Sequence, residues 1–294
     1  MATSFMLIKA GVLVTIPSFS CMAVPATVAS SIRGGSSIQT NTTSFCLIRE
    51  ALGARYRQVR FTLIQWIDLI DDMETIRTHL ELEQWALFGG GWGAAVALKY
   101  AETFPSRVSG MVLRSPFLAR RADVDWIYRE GLNQFFPEQW RRLTEILTGE
   151  QIPLRGYQAL MNSDNELERM DAAKRFAAWE AECANLRPDS RLVKHLTKAS
   201  RALARCRIST HYYANDCFVE ENQLLAEAES LNGIPGYIVQ GRFDLITRPA
   251  AAIDLANRWT SSELMIVREA GHSATEPAMI DALVRATQRL AERL

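Results

Sequence analysis

The sequence predicts an α/β fold: a parallel sheet flanked by helices, with an all-helical cap inserted into it. Three observations carry this reading. Short apolar runs at 86–88, 110–114, 236–240 and 263–267 alternate with helical patterns. The first two are separated by a single helix, and strand, helix, strand at that spacing makes the two strands parallel. The tract 119–231 contains no such unit and reads as helix after helix.

The chain has 294 residues, enough for one large domain or for a core plus a cap. It is 48% apolar and 22% charged, the balance of a soluble globular protein. Its formal net charge is zero, which offers no electrostatic basis for binding nucleic acid or an anionic membrane. Five cysteines (Cys21, Cys46, Cys183, Cys206 and Cys217) show no CxxC spacing. An odd, scattered set reads as free thiols in a reducing compartment, hence a cytoplasmic protein without a zinc site. Four histidines are too sparse for a metal cluster, and no metal or cofactor is expected. The apolar stretch 10–17, with Lys9 ahead of it, mimics a weak secretory signal. A lone charge and the lack of a clean A-x-A site weigh against that.

Taken in order, residues 1–64 break the pattern. Ser, Thr and Gly are plentiful from 28 to 44, and neither helical nor strand periodicity holds, so the plain reading is a disordered leader. From Gln65, apolar Trp66, Leu69, Ile70, Met73, Ile76 and Leu80 recur at helical spacing. Asp68, Asp71, Asp72 and Glu74 take the other side, early in the helix where its dipole favours acids. Next comes Trp85-Ala-Leu-Phe-Gly-Gly-Gly-Trp-Gly-Ala-Ala-Val-Ala-Leu-Lys99, an apolar run ending in glycines and then a small-residue helix. The strand 110–114 follows. Helices are expected at 122–130, 137–147, 154–162, 165–185 and 221–228, with Trp126, Trp140, Phe176 and Trp179 supplying apolar surface. The α/β pattern then resumes with strand 236–240, helix 250–259, strand 263–267 and a last amphipathic helix to 290. The expected division is an anomalous segment 1–64, a first core part 65–118, a helical cap 119–231 and a second core part 232–294.

The glycine-rich stretch has the grammar of a nucleophile elbow, a strand, a sharp turn and a helix written G-x-S-x-G. Here the frame is Gly89-x-Gly91-x-Gly93, with glycine where the serine belongs. Asp244 follows the 236–240 strand and His272 follows the 263–267 strand, where α/β sheets place their chemistry. Elbow, Asp, His is the order of a hydrolase triad. In a triad the His acts as general base and the Asp holds its tautomer and stabilises the imidazolium. Taken alone, Asp244 also fits a turn residue and His272 a loop histidine.

Further stretches make the likeness specific: Asp125-Trp-Ile-Tyr-Arg-Glu-Gly131, Phe135-Phe-Pro137, Ala178-Trp-Glu180, His211-Tyr-Tyr213, Gly241-Arg-Phe-Asp244 and Gly271-His-Ser273. With the elbow, they make the chain from about 69 to 290 resemble the prolyl aminopeptidases (proline iminopeptidases), capped α/β-hydrolases. The resemblance implies release of an N-terminal proline from peptides through an acyl-enzyme, without metal or cofactor. It implies Asp244 and His272 in the triad, with Trp92 on the substrate side. Glu180 is implied to meet the substrate's free α-amine, a task that suits a carboxylate. The family's second acidic position, ahead of the His-Tyr pair, is Ser209 here. Gly91 stands at the family's serine, and losing a triad member costs about six orders of magnitude in a serine protease. Ser115, a strand away, and Ser273, beside the base itself, are not substitutes.

The family's oxyanion motif H-G-G-P-G and a later D-Q-R-G are absent from residues 1–64. Joining the last base of each codon to the first two of the next changes that. The junctions of residues 21–26 then permit H-G-G-P-G, and those of 47–51 permit D-Q-R-G, at the family's spacing. Residues 10–58 therefore read as a stretch translated out of frame, which the nucleotide sequence tests directly. Loss of the first strands would bare one flank of the 86–88 strand, an aggregation hazard, and remove an oxyanion donor worth about 3–4 kcal/mol. Three functional expectations follow: a relic without activity, an active peptidase whose sequence carries an error or an engineered change, and a non-catalytic protein that binds peptide amino termini.

Overall fold

The computed structural model describes residues 12–15, 43–46, 66–148 and 153–294. Among these, six strands form one parallel sheet: β1 (Val12–Thr15), β2 (Thr43–Cys46), β3 (Trp85–Gly91), β4 (Val108–Pro116), β5 (Gly236–Gly241) and β6 (Ser262–Val267). Their order across the sheet is β2-β1-β3-β4-β5-β6. Because the strands are parallel, the carboxyl ends of β3, β4, β5 and β6 share one edge of the sheet.

Period-two alternation sends the side chains of each strand to opposite faces. Leu87, Met111, Leu113 and Ile238 join a core with α1 (Trp66–His79), α2 (Trp92–Thr103) and α10 (Pro249–Arg258). Ala86, Phe88, Val112, Tyr237 and Val239 join a second core with α11 (Pro277–Arg293) through Met279, Leu283 and Leu290. The helices thus cover both faces, as a parallel sheet requires. Gly93, Ala94, Ala95, Ala97 and Ala101 keep α2 slim, and all are buried. On α1 the spacing of Trp66, Leu69, Ile70 and Met73 buries one stripe, each large side chain contributing about 1.5–3 kcal/mol.

The helices between β4 and β5 are α3 (Arg121–Tyr128), α4 (Pro137–Thr144), α5 (Pro153–Met161), α6 (Glu166–Cys183), α7 (Ser190–Leu196), α8 (Ala199–Ala214) and α9 (Gln223–Ala226). Asn165 caps α6 by accepting from Leu167 and Glu168, and Asp189 caps α7 in the same way. Helix α6 packs against α5, α7 and α8. Helices α7 and α8 are additions to the elements expected from the sequence. No helix among the described residues is long and apolar enough to cross a membrane.

One expectation is corrected. The flank of β3 is not bare: β1 pairs with it in parallel, Leu13 opposite Ala86, Val14 opposite Leu87 and Thr15 opposite Phe88. The run Val12-Leu-Val-Thr15 is rich in β-branched residues, which suit an extended chain whatever their origin. The stretches 21–26 and 47–51, and the signal-like start of 10–17, lie outside the described residues.

Candidate active site

Strand β3 runs straight into α2 with no linker, and the joint is Gly91. Its backbone stands at φ 56° and ψ −122°, a region that side chains rarely tolerate and glycine enters freely. The sharp strand-to-helix turn foreseen from the sequence is therefore present. It presents backbone alone at the position where a nucleophile would stand.

At the neighbouring strand ends the backbone brings two loops together. A Cβ on Gly241 would lie 2.1 Å from the Gly271 carbonyl oxygen and 2.6 Å from that of Ala270, so only glycine allows this approach. The amides of Arg242 and Phe243 donate to the carbonyls of Val267 and Ala270 at 2.9 and 3.0 Å. These bonds zip the loop after β5 to the loop after β6.

The result is a close contact between Asp244 and His272, residues widely separated in sequence. His272 Nδ1 lies 2.9 Å from Asp244 Oδ2, and both side chains are almost wholly buried. Asp244 is held from several sides. Its Oδ1 accepts from the amides of Ile246 and Thr247 at 3.0 and 2.9 Å. Its Oδ2 accepts from the Thr247 hydroxyl at 2.9 Å and from Gln240 Nε2 at 3.3 Å. Burial alone would raise the Asp244 carboxyl. The His272 imidazole beside it, their hydrogen bond and the Thr247 amide outweigh burial and hold the carboxyl below its usual range. A carboxylate facing Nδ1 favours the proton there and leaves the lone pair on Nε2. Nε2 is buried and has no hydrogen-bond partner among the described residues.

The His272 backbone is pinned as well. Its amide and that of Ser273 both donate to the Ala184 carbonyl at 2.9 Å. Ala184 is the residue on which α6 ends. The His272 carbonyl accepts from Nη1 of Arg114, a fully buried side chain from the end of β4. Glu276 accepts from the amides of Gly271 and Leu186 at 2.7 and 2.8 Å, which closes the loop.

His272 opens onto a small cavity between the sheet edge and the helices above it. Phe117, Ile127, Tyr128, Tyr213 and Ile246 supply its apolar walls, and Glu180 and Thr247 join His272 as its polar groups. Glu180 comes from α6, where it is buried. Its Oε1 accepts from the Tyr128 hydroxyl at 2.6 Å and its Oε2 from Arg205 Nη1 at 2.5 Å. Burial, with the Glu180 carboxylate adding to it, pushes the Tyr128 phenol far above its ordinary value, so it stays a donor.

The structure thus brings together Asp244, His272 and Glu180 and sets Gly91 at the same edge of the sheet. Trp92 lies one layer back. It is buried among Trp66, Tyr212, Phe117 and Tyr213, with ring centroids 4.8, 4.6, 6.2 and 6.2 Å away, and so backs two residues of the cavity wall. Ser209 is buried on α8 and does not line the cavity. Thr247, Gln240, Arg114 and Arg205 were not among the residues the sequence points to. Nothing in their local pattern separates them from ordinary polar positions: Arg114 and Arg205 meet partners far away in the chain, and Gln240 and Thr247 reach Asp244 only through the way the loop after β5 turns.

A family model for the alpha/beta hydrolase fold matches residues 34–277. The chain is 40% identical over 227 residues to a proline iminopeptidase from Xanthomonas citri, across 76% of this chain and 72% of that protein. It is 38% identical over 223 residues to one from Xylella fastidiosa, across 75% and 71%. A hydrolase of solved structure from Oleispira antarctica shares the fold with a TM-score of 0.54 at 15% identity, over 81% of this chain and 77% of that one. Identity at the level of the first two proteins, sustained over three quarters of the sequence, sets the assignment: this chain belongs to the proline iminopeptidase family of alpha/beta hydrolases.

Proposed function

We propose that the chain keeps the acid–base half and the substrate cavity of a serine exopeptidase acting on N-terminal proline, and has lost the nucleophilic half. The observation that carries this reading is the contrast at one sheet edge. Asp244 and His272 are bonded and buried, and His272 lines the cavity, while the elbow position is Gly91. In the intact reaction His272 would take a proton from the serine hydroxyl and return it to the leaving amine, with Asp244 stabilising the imidazolium. The backbone amide of Trp92, next after the elbow, is where an oxyanion donor belongs. In the intact reaction the Glu180 position would face the substrate's amino terminus; in this chain that carboxylate already holds Arg205, and Ser209 leaves the family's second acidic position without charge.

Without a hydroxyl at 91 no acyl-enzyme forms, so the chain turns over no prolyl peptide. The division into core parts 65–118 and 232–294 with a cap 119–231, a cytoplasmic location and the absence of nucleic-acid or membrane partners belong to the same reading. Cys183, Cys206 and Cys217 are free and buried, which suits a reducing compartment.

Hydrolysis of L-prolyl-p-nitroanilide by the purified chain tests the proposal. The expected result is a rate equal to that of the His272→Gln variant. Turnover abolished by a serine-directed inhibitor would overturn it. The formed cavity favours a second reading, a non-catalytic protein that binds peptides with N-terminal proline. Titration with prolyl peptides tests that, and an absence of saturable binding ends it.

A further inference from the structure

Glu180 and His272 look into one cavity, yet their electrostatic situations differ. His272 Nε2 has no hydrogen-bond partner among the described residues. Both oxygens of Glu180 are engaged, one by the Tyr128 hydroxyl at 2.6 Å and the other by the Arg205 guanidinium at 2.5 Å. Arg205 rises from α8 and Glu180 from α6, and their side chains are only 11% and 8% exposed. An ion pair shielded this well from water is not opened by solvent, and removing one partner leaves a buried charge uncompensated.

The surroundings of the pair reinforce it. Four residues beyond Arg205, one turn along α8, stands Ser209, which brings no charge to the site. Apart from His272 and Thr247, the other cavity walls are aromatic or aliphatic. An ammonium group entering beside Glu180 would have to share that carboxylate with the Arg205 guanidinium, which sets cation against cation where little water screens them. A ligand without charge leaves the pair as it stands.

We propose that Arg205 is a built-in counter-ion that closes Glu180 to a ligand's ammonium, so that the cavity takes an uncharged N-acylated prolyl unit in preference to a free prolyl amine. This rests on the reading of the cavity as a prolyl site. Arg205 is then a specificity-determining residue, and the chain is turned away from free amino termini by its own side chain.

The test is calorimetric titration of the full chain with prolinamide, which is charged, and N-acetylprolinamide, which is not. The natural chain is expected to bind N-acetylprolinamide at least tenfold more tightly. Arg205→Lys keeps the charge and keeps that order. Arg205→Leu releases Glu180 and shifts the ratio at least tenfold toward prolinamide. Adding Glu180→Gln to Arg205→Leu cancels the shift. Should Arg205→Leu unfold, Arg205→Gln removes the charge while keeping a hydrogen-bond donor, and the same shift is expected. Preference of the natural chain for prolinamide overturns the proposal, as does a ratio unmoved by loss of the Arg205 charge. If neither ligand binds any variant, the prolyl-site reading falls and takes the proposal with it. Binding with an unmoved ratio sinks the counter-ion alone.

Discussion

Gly91 holds the backbone of a sharp strand-to-helix turn while offering no side chain to it. Any L-residue there carries strain, of order 1–3 kcal/mol. Gly91→Ser is therefore expected to lower the melting temperature by several degrees in calorimetry, since about 1 kcal/mol moves a domain near this size by roughly 2–4 °C. The same variant restores the hydroxyl but not the oxyanion motif missing from residues 1–64, so prolyl-arylamide turnover stays absent. Recovered turnover would mean that oxyanion donors are in place after all. Asp244 and His272 were legible in the sequence because each directly follows an apolar run, where strand ends deliver chemistry. Thr247 and Arg205 were not legible. Thr247 owes its role to the turn that folds its hydroxyl onto Asp244, and Arg205 owes its role to the packing of α8 on α6.

At the scale of elements, the loops after β5 and β6 act as one unit. Gly241 sits at their closest approach, against the Gly271 and Ala270 carbonyls. Gly241→Ala forces those carbonyls away, which is expected to cost about 1–3 kcal/mol as overpacking and to loosen the bond between Asp244 and His272. Proton NMR reads the second effect: the deshielded Nδ1 proton of His272 should broaden or disappear, and its persistence unchanged would count against this coupling. The strands and the framing helices were legible because their apolar residues are large and regularly spaced. Helices α7 and α8 were not, for a physical reason. From Ala202 to Thr210 the buried positions of α8 are Ala202, Cys206, Ile208, Ser209 and Thr210, mostly small or polar, and its large buried rings, Tyr212 and Tyr213, come only at its end, so the hydrophobic stripe is faint. The bare flank expected beside β3 was an inference from missing motifs, whereas four β-branched or apolar residues are enough for β1 to pair there.

Across the whole molecule, stability carries one clear pH signature away from the site. Glu102 on α2 has a side chain only 1% exposed, with Lys99 Nζ 4.0 Å away. Burial pushes its carboxyl up to about 9, against the pull of Lys99. The folded chain therefore binds this proton more tightly than the unfolded chain, whose glutamates titrate near 4.3. The stability tied to it is fully present below that unfolded value and is lost progressively as pH rises toward the folded one. The slope is about 1.4 kcal/mol per pH unit within the window. The melting temperature should fall between about pH 5 and about pH 9, and Glu102→Gln should flatten the fall. An equally steep fall in the variant would assign it to another group.

The carbonyl of Ala184, which receives the amides of His272 and Ser273, has a mechanical meaning. It belongs to the residue that caps the helix carrying Glu180, so the helix above the cavity and the His272 loop below it are tied together there. A lid hinged elsewhere would have to shear both bonds before it could lift.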